Sequence, residues 1–295
     1  MGQALKGRRK DLSPDGMAMC PTLSKGFSML IYLSVIMLFP VVLLAQSGLP
    51  TYRAARALDA IQVDGKLDEF TWAAAPRVGR FTNVRNPSQS GPAPTQAAVA
   101  WDDVNLYVAF SCVDAEPWGT MKNRDDHLWD EEVVEVFLDP DGDGRNYAEI
   151  EVSPHNIVVD LLIPAPRVGG GQAIRWNAEG LRTAVAMHAA GWVVEMAIPW
   201  RSLAEAGVDR APRPGDRWRV GLYRIERPGG PSRTKEIASL RQKLATASAE
   251  AKPALQAQID KLETGLEWLA WSPTRVERGF HDPERFGVVE FVAKP

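Results

Sequence analysis

From residue 58 onward the chain runs in short apolar stretches, each cut off by Gly, Pro, Asn or Asp. Residues 97–101 (AAVAW) and 106–110 (LYVAF) flank the acidic turn Asp102-Asp103, a pattern that predicts a hairpin. The run 133–138 (VVEVFL) ends at Asp139-Pro140 and reads as a further strand. Residues 147–152 (YAEIEV) alternate apolar and charged side chains, which predicts a strand with one wet face. Strands are also expected over 156–162, 181–187, 192–198, 218–225, 268–271 and 288–292, with at best a short helix over 202–206. Many short strands without βαβ alternation predict an all-β domain, an antiparallel, jelly-roll-like β-sandwich.

Two segments depart from this pattern. Residues 234–263 are rich in Ala, Leu, Lys, Gln and Glu, the strong helix formers. Ile237, Leu240, Leu244, Ala247 and Ala251 recur at helical spacing and make one apolar stripe. Pro253 is tolerated only in the first turn of a helix, so a second helix is expected to start there and reach Leu262. A helical hairpin inserted at about 229–266 follows, expected either to cap one rim of the sandwich or to dock a protein partner. The other departure is residues 27–45 (FSMLIYLSVIMLFPVVLLA), an uncharged run preceded by Arg8, Arg9, Lys10 and Lys25. Basic, then apolar, then small is the order of a secretory signal, and the length approaches that of a membrane span. Residues 1–46 are therefore expected to be a signal peptide or a membrane anchor with an apolar helix. Residues 47–57 are expected to be a linker, and 58–292 the sandwich, facing the periplasm or the cell exterior.

Composition adds little beyond exclusions. At 295 residues, 45% hydrophobic and 24% charged, the chain matches an ordinary globular protein. A formal net charge of -3 gives no basic face for nucleic acid. Two cysteines, Cys20 and Cys112, stand on opposite sides of the apolar run and form no disulfide framework. Ten tryptophans are many for this length; some are expected in the core, and an excess also suits stacking on apolar ligand faces.

The stretch 63–72 (VDGKLDEFTW) opens the domain with the turn Asp64-Gly65 and places Trp72 as a buried anchor. Together with 99–110, 130–143, 147–154, 191–200, 214–225 and the pair 271–274 and 280–287, it resembles the family 9 carbohydrate-binding modules and their wider sandwich superfamily. The matches keep the family's order, and the helical insert is the main exception. The resemblance implies an exported, non-catalytic module that binds an oligo- or polysaccharide and supports polysaccharide breakdown by other enzymes. It also implies that two aromatic rings sandwich the end sugar of a glycan while polar side chains hydrogen-bond its hydroxyls. Trp129 stands at the first ring position, Phe280 at the second, and Glu135 at a polar sugar contact. Glu151 stands where the characterised sugar binders carry a basic residue, and Phe280 offers less stacking area than Trp.

Three other chemistries are open. Asp139, Asp141 and Asp143 alternate in a Gly-rich turn, a spacing suited to structural Ca²⁺; Ile150 stands where an EF-hand needs its bidentate Glu, so no EF-hand is expected. The alternative is an Asp/Gly turn with no ion. Carboxylates at Asp130, Glu131, Glu132, Glu135 and Asp139 keep glycoside hydrolysis open as an alternative, since glycosidases use a pair. Haem binding and electron transfer is the first alternative and glycoside hydrolysis the second: sandwiches of the wider superfamily use Met with Lys or His as axial ligands, and Met121, Lys122 and His127 lie near the expected ligand end.

Overall fold

The computed structural model describes residues 48–85, 94–166 and 174–294, with backbone alone at 174 and 175. The export segment expected over 1–46, including the apolar helix at 27–45, lies outside the described residues. Among the described residues no helix is long and apolar enough to cross a membrane.

Among the described residues thirteen strands make one curled sheet. In chain order they are β1 (Thr51–Arg56), β2 (Thr82–Asn83), β3 (Thr95–Trp101), β4 (Asn105–Val113), β5 (Val133–Asp139), β6 (Tyr147–Val152) and β7 (Val158–Ile163). They continue with β8 (Ile174–Arg175), β9 (Arg182–His188), β10 (Gly191–Pro199), β11 (Arg217–Glu226), β12 (Glu267–Ala270) and β13 (Gly287–Val292). Their spatial order is β8-β7-β6-β5-β11-β13-β1-β3-β4-β10-β9, with β12 joining β11 to β2. β11 changes partner along its length: Arg217 to Val220 pair with β13, and Tyr223 to Glu226 pair with β12.

Two sequence-based expectations are corrected here. The stretch 47–57, read as a linker, supplies β1, which lies between β13 and β3 and pairs with both in parallel. The sheet is therefore mixed rather than purely antiparallel. The run TYRAAR carries too little alternation to announce a strand; what makes it one is the pair of neighbours that satisfy its backbone groups. The remaining pairings are antiparallel, including the expected β3–β4 hairpin with its register centred on Ala98 and Ala109.

Period-2 alternation sorts side chains into separate cores. Val134, Val136 and Leu138 of β5 face the main core with Ala148, Ile150 and Val152 of β6 and Trp218, Val220 and Leu222 of β11. Val133 and Phe137, Tyr147, Tyr223 and Ile225 face the other way and join a second core beneath Phe286. The expected wet face of β6 is thus covered: Glu149 is 3% exposed and Glu151 is 0% exposed. The alternation is there, but a second apolar layer packs over the polar side.

At the start of the domain, α1 (Phe70–Ala74) buries Trp72 as expected. Its Nε1 donates to Glu195 Oε1 at 2.8 Å, while the backbone N–H groups of Asp64 and Gly65 donate to Oε2 at 3.1 and 2.8 Å. One buried carboxylate thus ties the opening turn to β10. Gly65 is required there: its φ is +84°, and a Cβ would meet Ala186 at 2.8–2.9 Å.

The insert between β11 and β12 is the expected hairpin, α2 (Gly230–Thr246) and α3 (Lys252–Glu263). Ile237, Leu240 and Ile259 are buried in a small core of their own, with Leu244, Leu255, Leu262 and Leu266 packed against it. Pro253 sits in the first turn of α3. Ala247 and Ala251 are not part of that core, because they cap the two helix ends at the tip.

Candidate functional site

The site lies where the second core meets the insert. A single 3₁₀ turn, Leu128–Asp130, carries Trp129, and buried Leu128 fixes the turn against the sheet. Arg227, just past β11, holds the turn from behind: its Nη2 donates to Trp129 O at 2.8 Å and its Nε to Glu131 O at 3.2 Å. The His127 ring stacks on Trp129 with centroids 4.6 Å apart and planes 20° apart. Phe280, from the loop before β13, stacks on Tyr223 of β11 at 4.2 Å and 10°. Both expected clamp rings are therefore braced by a second ring.

Trp129 and Phe280 line one cleft of about 270 Å³, together with Val84, Arg85, Asp130, Ile225, Arg227, Arg241, Leu266, Trp268 and Gly279. Trp268 of β12 adds a third half-exposed ring, and the Arg85 guanidinium lies 3.3 Å from that ring's centroid. The insert contributes Arg241 from α2 and Leu266 from the segment after α3. Arg241 Nη2 pairs with Glu263, and Arg85 Nη1 is 3.5 Å from the same carboxylate.

Glu135 and Glu151, expected as ligand contacts, are not among the cleft residues. They face each other across β5 and β6, and Glu135 also pairs with Tyr223 across β5 and β11, so one cross-strand row runs Tyr223, Glu135, Glu151. Both are buried, at 2% and 0% exposure. Their oxygens and one from Glu149 lie within 4.8 Å of one another, and all three are engaged by further partners. Tyr147 and His281 stand beside them, joined by a 2.8 Å hydrogen bond between the hydroxyl and Nδ1. The row forms the polar layer beneath the ring on which Phe280 rests.

A second group of carboxylates lies on the opposite side of β11. Asp114, Glu132 and Glu226 surround Arg224, all of them buried. Arg224 Nη2 donates to Asp114 Oδ2 at 3.1 Å and pairs with Glu226. Burial, and then the Glu226 charge, push the Glu132 carboxyl up to about 9 from an ordinary 4.5. Glu226 is pushed up to about 7, again mainly by burial. Cys112 lies buried nearby as a free thiol, raised to about 12 by the same desolvation.

Asp139, Asp141 and Asp143 come together as expected, with one ligand atom from each within 4.8 Å. Both Asp139 oxygens already accept backbone N–H bonds, from Gly142 at 3.2 Å and Gly144 at 3.1 Å. Asp141 accepts from Asp143 N and Asp143 from Arg145 N, so the turn is closed by its own backbone. Burial, offset by those donors, leaves the Asp139 carboxyl raised to about 6. Met121, Lys122 and His127, the haem candidates, line a shallow open depression with Asp125, Asp126 and Asp130. Such walls are polar and acidic, whereas a porphyrin needs apolar ones.

Trp268, Arg85, Arg227 and Arg241 were not picked out in the sequence. Trp268 carries a signal, since it alternates with buried Leu269 and Glu267 on a short strand. The three arginines carry none, being scattered singly over more than 150 residues and gathered only by the sheet and the insert.

A curled β-domain with an aromatic cleft at one rim is the architecture of a sandwich-type small-ligand-binding module. Within that class the assignment is specific. The family model for "Carbohydrate family 9 binding domain-like" proteins matches residues 63–294, and the chain belongs to that family. It is 28% identical over 141 residues to the exoglucanase XynX of Acetivibrio thermocellus, covering 48% of this chain and 12% of that enzyme. It is likewise 28% identical over 141 residues to endo-1,4-beta-xylanase A of Thermoanaerobacterium saccharolyticum, covering 48% of this chain and 11% of that enzyme. The shared part is thus a small fraction of either enzyme. Among solved structures, a family 9 carbohydrate-binding module of Caldicellulosiruptor kristjanssonii in complex with cellotriose matches the fold with a TM-score of 0.52. That alignment has 13% identity and covers 83% of this chain and 95% of the module.

Proposed function

We propose that this domain binds carbohydrate, seating the end sugar of a glycan in the cleft that Trp129 and Phe280 line. The observation that carries the reading is the convergence of Trp129, Phe280 and Trp268 on one concave surface, each ring fixed by its neighbours. Sugar faces are apolar C–H surfaces rimmed by hydroxyls, so rigid rings flanked by charged donors supply both affinity and orientation. Membership of a carbohydrate-binding family, one solved member of which holds cellotriose, points the same way. Glu135 and Glu151, buried under Tyr223, act in this reading as the polar support of the Phe280 platform.

The basic, then apolar, then small order of residues 8–45 supports export, and the module then assists polysaccharide breakdown by other enzymes outside the cytoplasm. The insert serves as a rim of the cleft, through Arg241 and Leu266, rather than as an arm for a protein partner.

Trp129→Ala, titrated with cellotriose by calorimetry, tests the assignment. Loss of one buried stacking face is expected to cost about 2 kcal/mol, roughly 30-fold in Kd. Wild-type affinity in a variant with wild-type melting behaviour removes the site.

A further inference from the structure

The carbohydrate reading turns on the rings of the cleft, while its three guanidinium groups, beyond bracing the Trp129 turn and pairing with Glu263, set the charge of the cleft. Arg85 follows β2, Arg227 follows β11, and Arg241 comes from the helical insert, yet all three line the same cleft. A neutral sugar requires no such concentration of cations, each of which loses hydration at a half-enclosed, ring-lined surface. The opposing charge is incomplete. Asp130 is the one carboxylate in the lining, and Glu263, just outside it, is shared between Arg85 and Arg241. Three cations against two anions leave a surplus of one positive charge.

The geometry adds direction. Arg227 spends Nε and Nη2 on backbone carbonyls of the Trp129 turn, which locks its planar fork. The Asp130 carboxylate opposes its charge. Arg85 lies over Trp268 with its guanidinium carbon 3.3 Å from the ring centroid, held against the ring instead of ranging through solvent. Burial holds Arg85 and Arg227 below the usual guanidinium value, the mark of cations whose desolvation is only partly offset. An anion delivered into the cleft offsets that cost.

We propose that the cleft selects glycan ends whose terminal sugar carries a carboxylate, a uronic-acid-type residue stacked on the aromatic rings with its carboxylate against Arg227, Arg241 and Arg85. A carboxylate accepts charge-assisted N–H bonds, and each guanidinium carries N–H groups beyond those it already engages. The inference rests on the carbohydrate reading and narrows it to an acidic class. Arg241 belongs to the helical insert, so this preference is written into the segment that departs from the family's sequence pattern.

Titration of the full chain with glucuronate and with glucose, followed by NMR or calorimetry, is the test, because the two probes differ only at C6. Glucuronate is expected to bind about tenfold tighter at about 0.05 M salt. That preference should shrink towards equality at about 0.5 M salt and in Arg241→Gln, an exposed substitution that leaves the core intact. Acetate alone should bind far more weakly than glucuronate. Equal affinities for the two sugars, tighter binding of glucose, or acetate as tight as glucuronate each overturn the acidic preference. If glucose and cellotriose bind while the preference is missing, the carbohydrate reading stands. If neither sugar nor cellotriose binds, the carbohydrate reading fails and this inference with it.

Discussion

Glu132→Gln isolates one proton held in the interior. Glu132 is 1% exposed, and its Oε2 accepts the Trp118 backbone N–H at 2.9 Å. Oε1 accepts the Arg227 backbone N–H at 3.4 Å. Burial first, and then the neighbouring Glu226 charge, hold the Glu132 carboxyl up at about 9. Between pH 4.5 and 9 the folded chain therefore holds a proton that the unfolded chain has released. Stability then falls as pH rises through that window, by about 1.4 kcal/mol per pH unit for a full proton. From pH 5 to pH 8 that amounts to about 4 kcal/mol at most, and about 2–4 kcal/mol once Glu226 shares the proton. Gln mimics the neutral acid, keeps an acceptor for Trp118 N and removes the titration. The variant is expected to lose most of that slope and to exceed wild type in stability at pH 8, as read by urea unfolding at several pH values. Parallel pH profiles for the two proteins refute the shared-proton account.

Two further outcomes follow from the packing. Gly287→Ala places a Cβ 2.2 Å from Trp271 Cζ2, and Trp271 is 3% exposed with its Nε1 donating to Val220 O. A cost of about 3 kcal/mol is expected, lowering Tm by roughly 6–12 °C, and an unchanged Tm contradicts the described β13 packing. At the Asp139 turn, a chelator is expected to leave Tm where it is, because backbone N–H groups already bond both Asp139 oxygens and one oxygen each of Asp141 and Asp143. A drop in chelator that calcium restores refutes this and makes the turn a structural cation site.

Sequence periodicity carried far for strands and helices because burial repeats at 2 or at 3.6 residues. The β3–β4 hairpin, β5, β6, β10 and the two insert helices all stand where alternation, turn residues and Pro253 put them. Trp72 was likewise legible, since an apolar ring after a tight Asp-Gly turn has few places to go but inward. The cleft was half legible: Trp129 and Phe280 came from the family pattern. β1 was not legible at all, because TYRAAR owes its strand to two parallel neighbours distant in sequence.

What the chain alone determined is therefore the list of local elements, the aromatic candidates and the insert's own small core. Only the tertiary structure decided which faces are dry. A second apolar layer over β5 and β6 turned Glu135, Glu149 and Glu151 from wet-face residues into buried ones. It also decided the cleft's charge, by bringing Arg85, Arg227 and Arg241 from separate segments to one rim. Local patterns report the period of burial, while the partner that does the burying, and the charges that meet there, depend on long-range pairing that no single segment encodes.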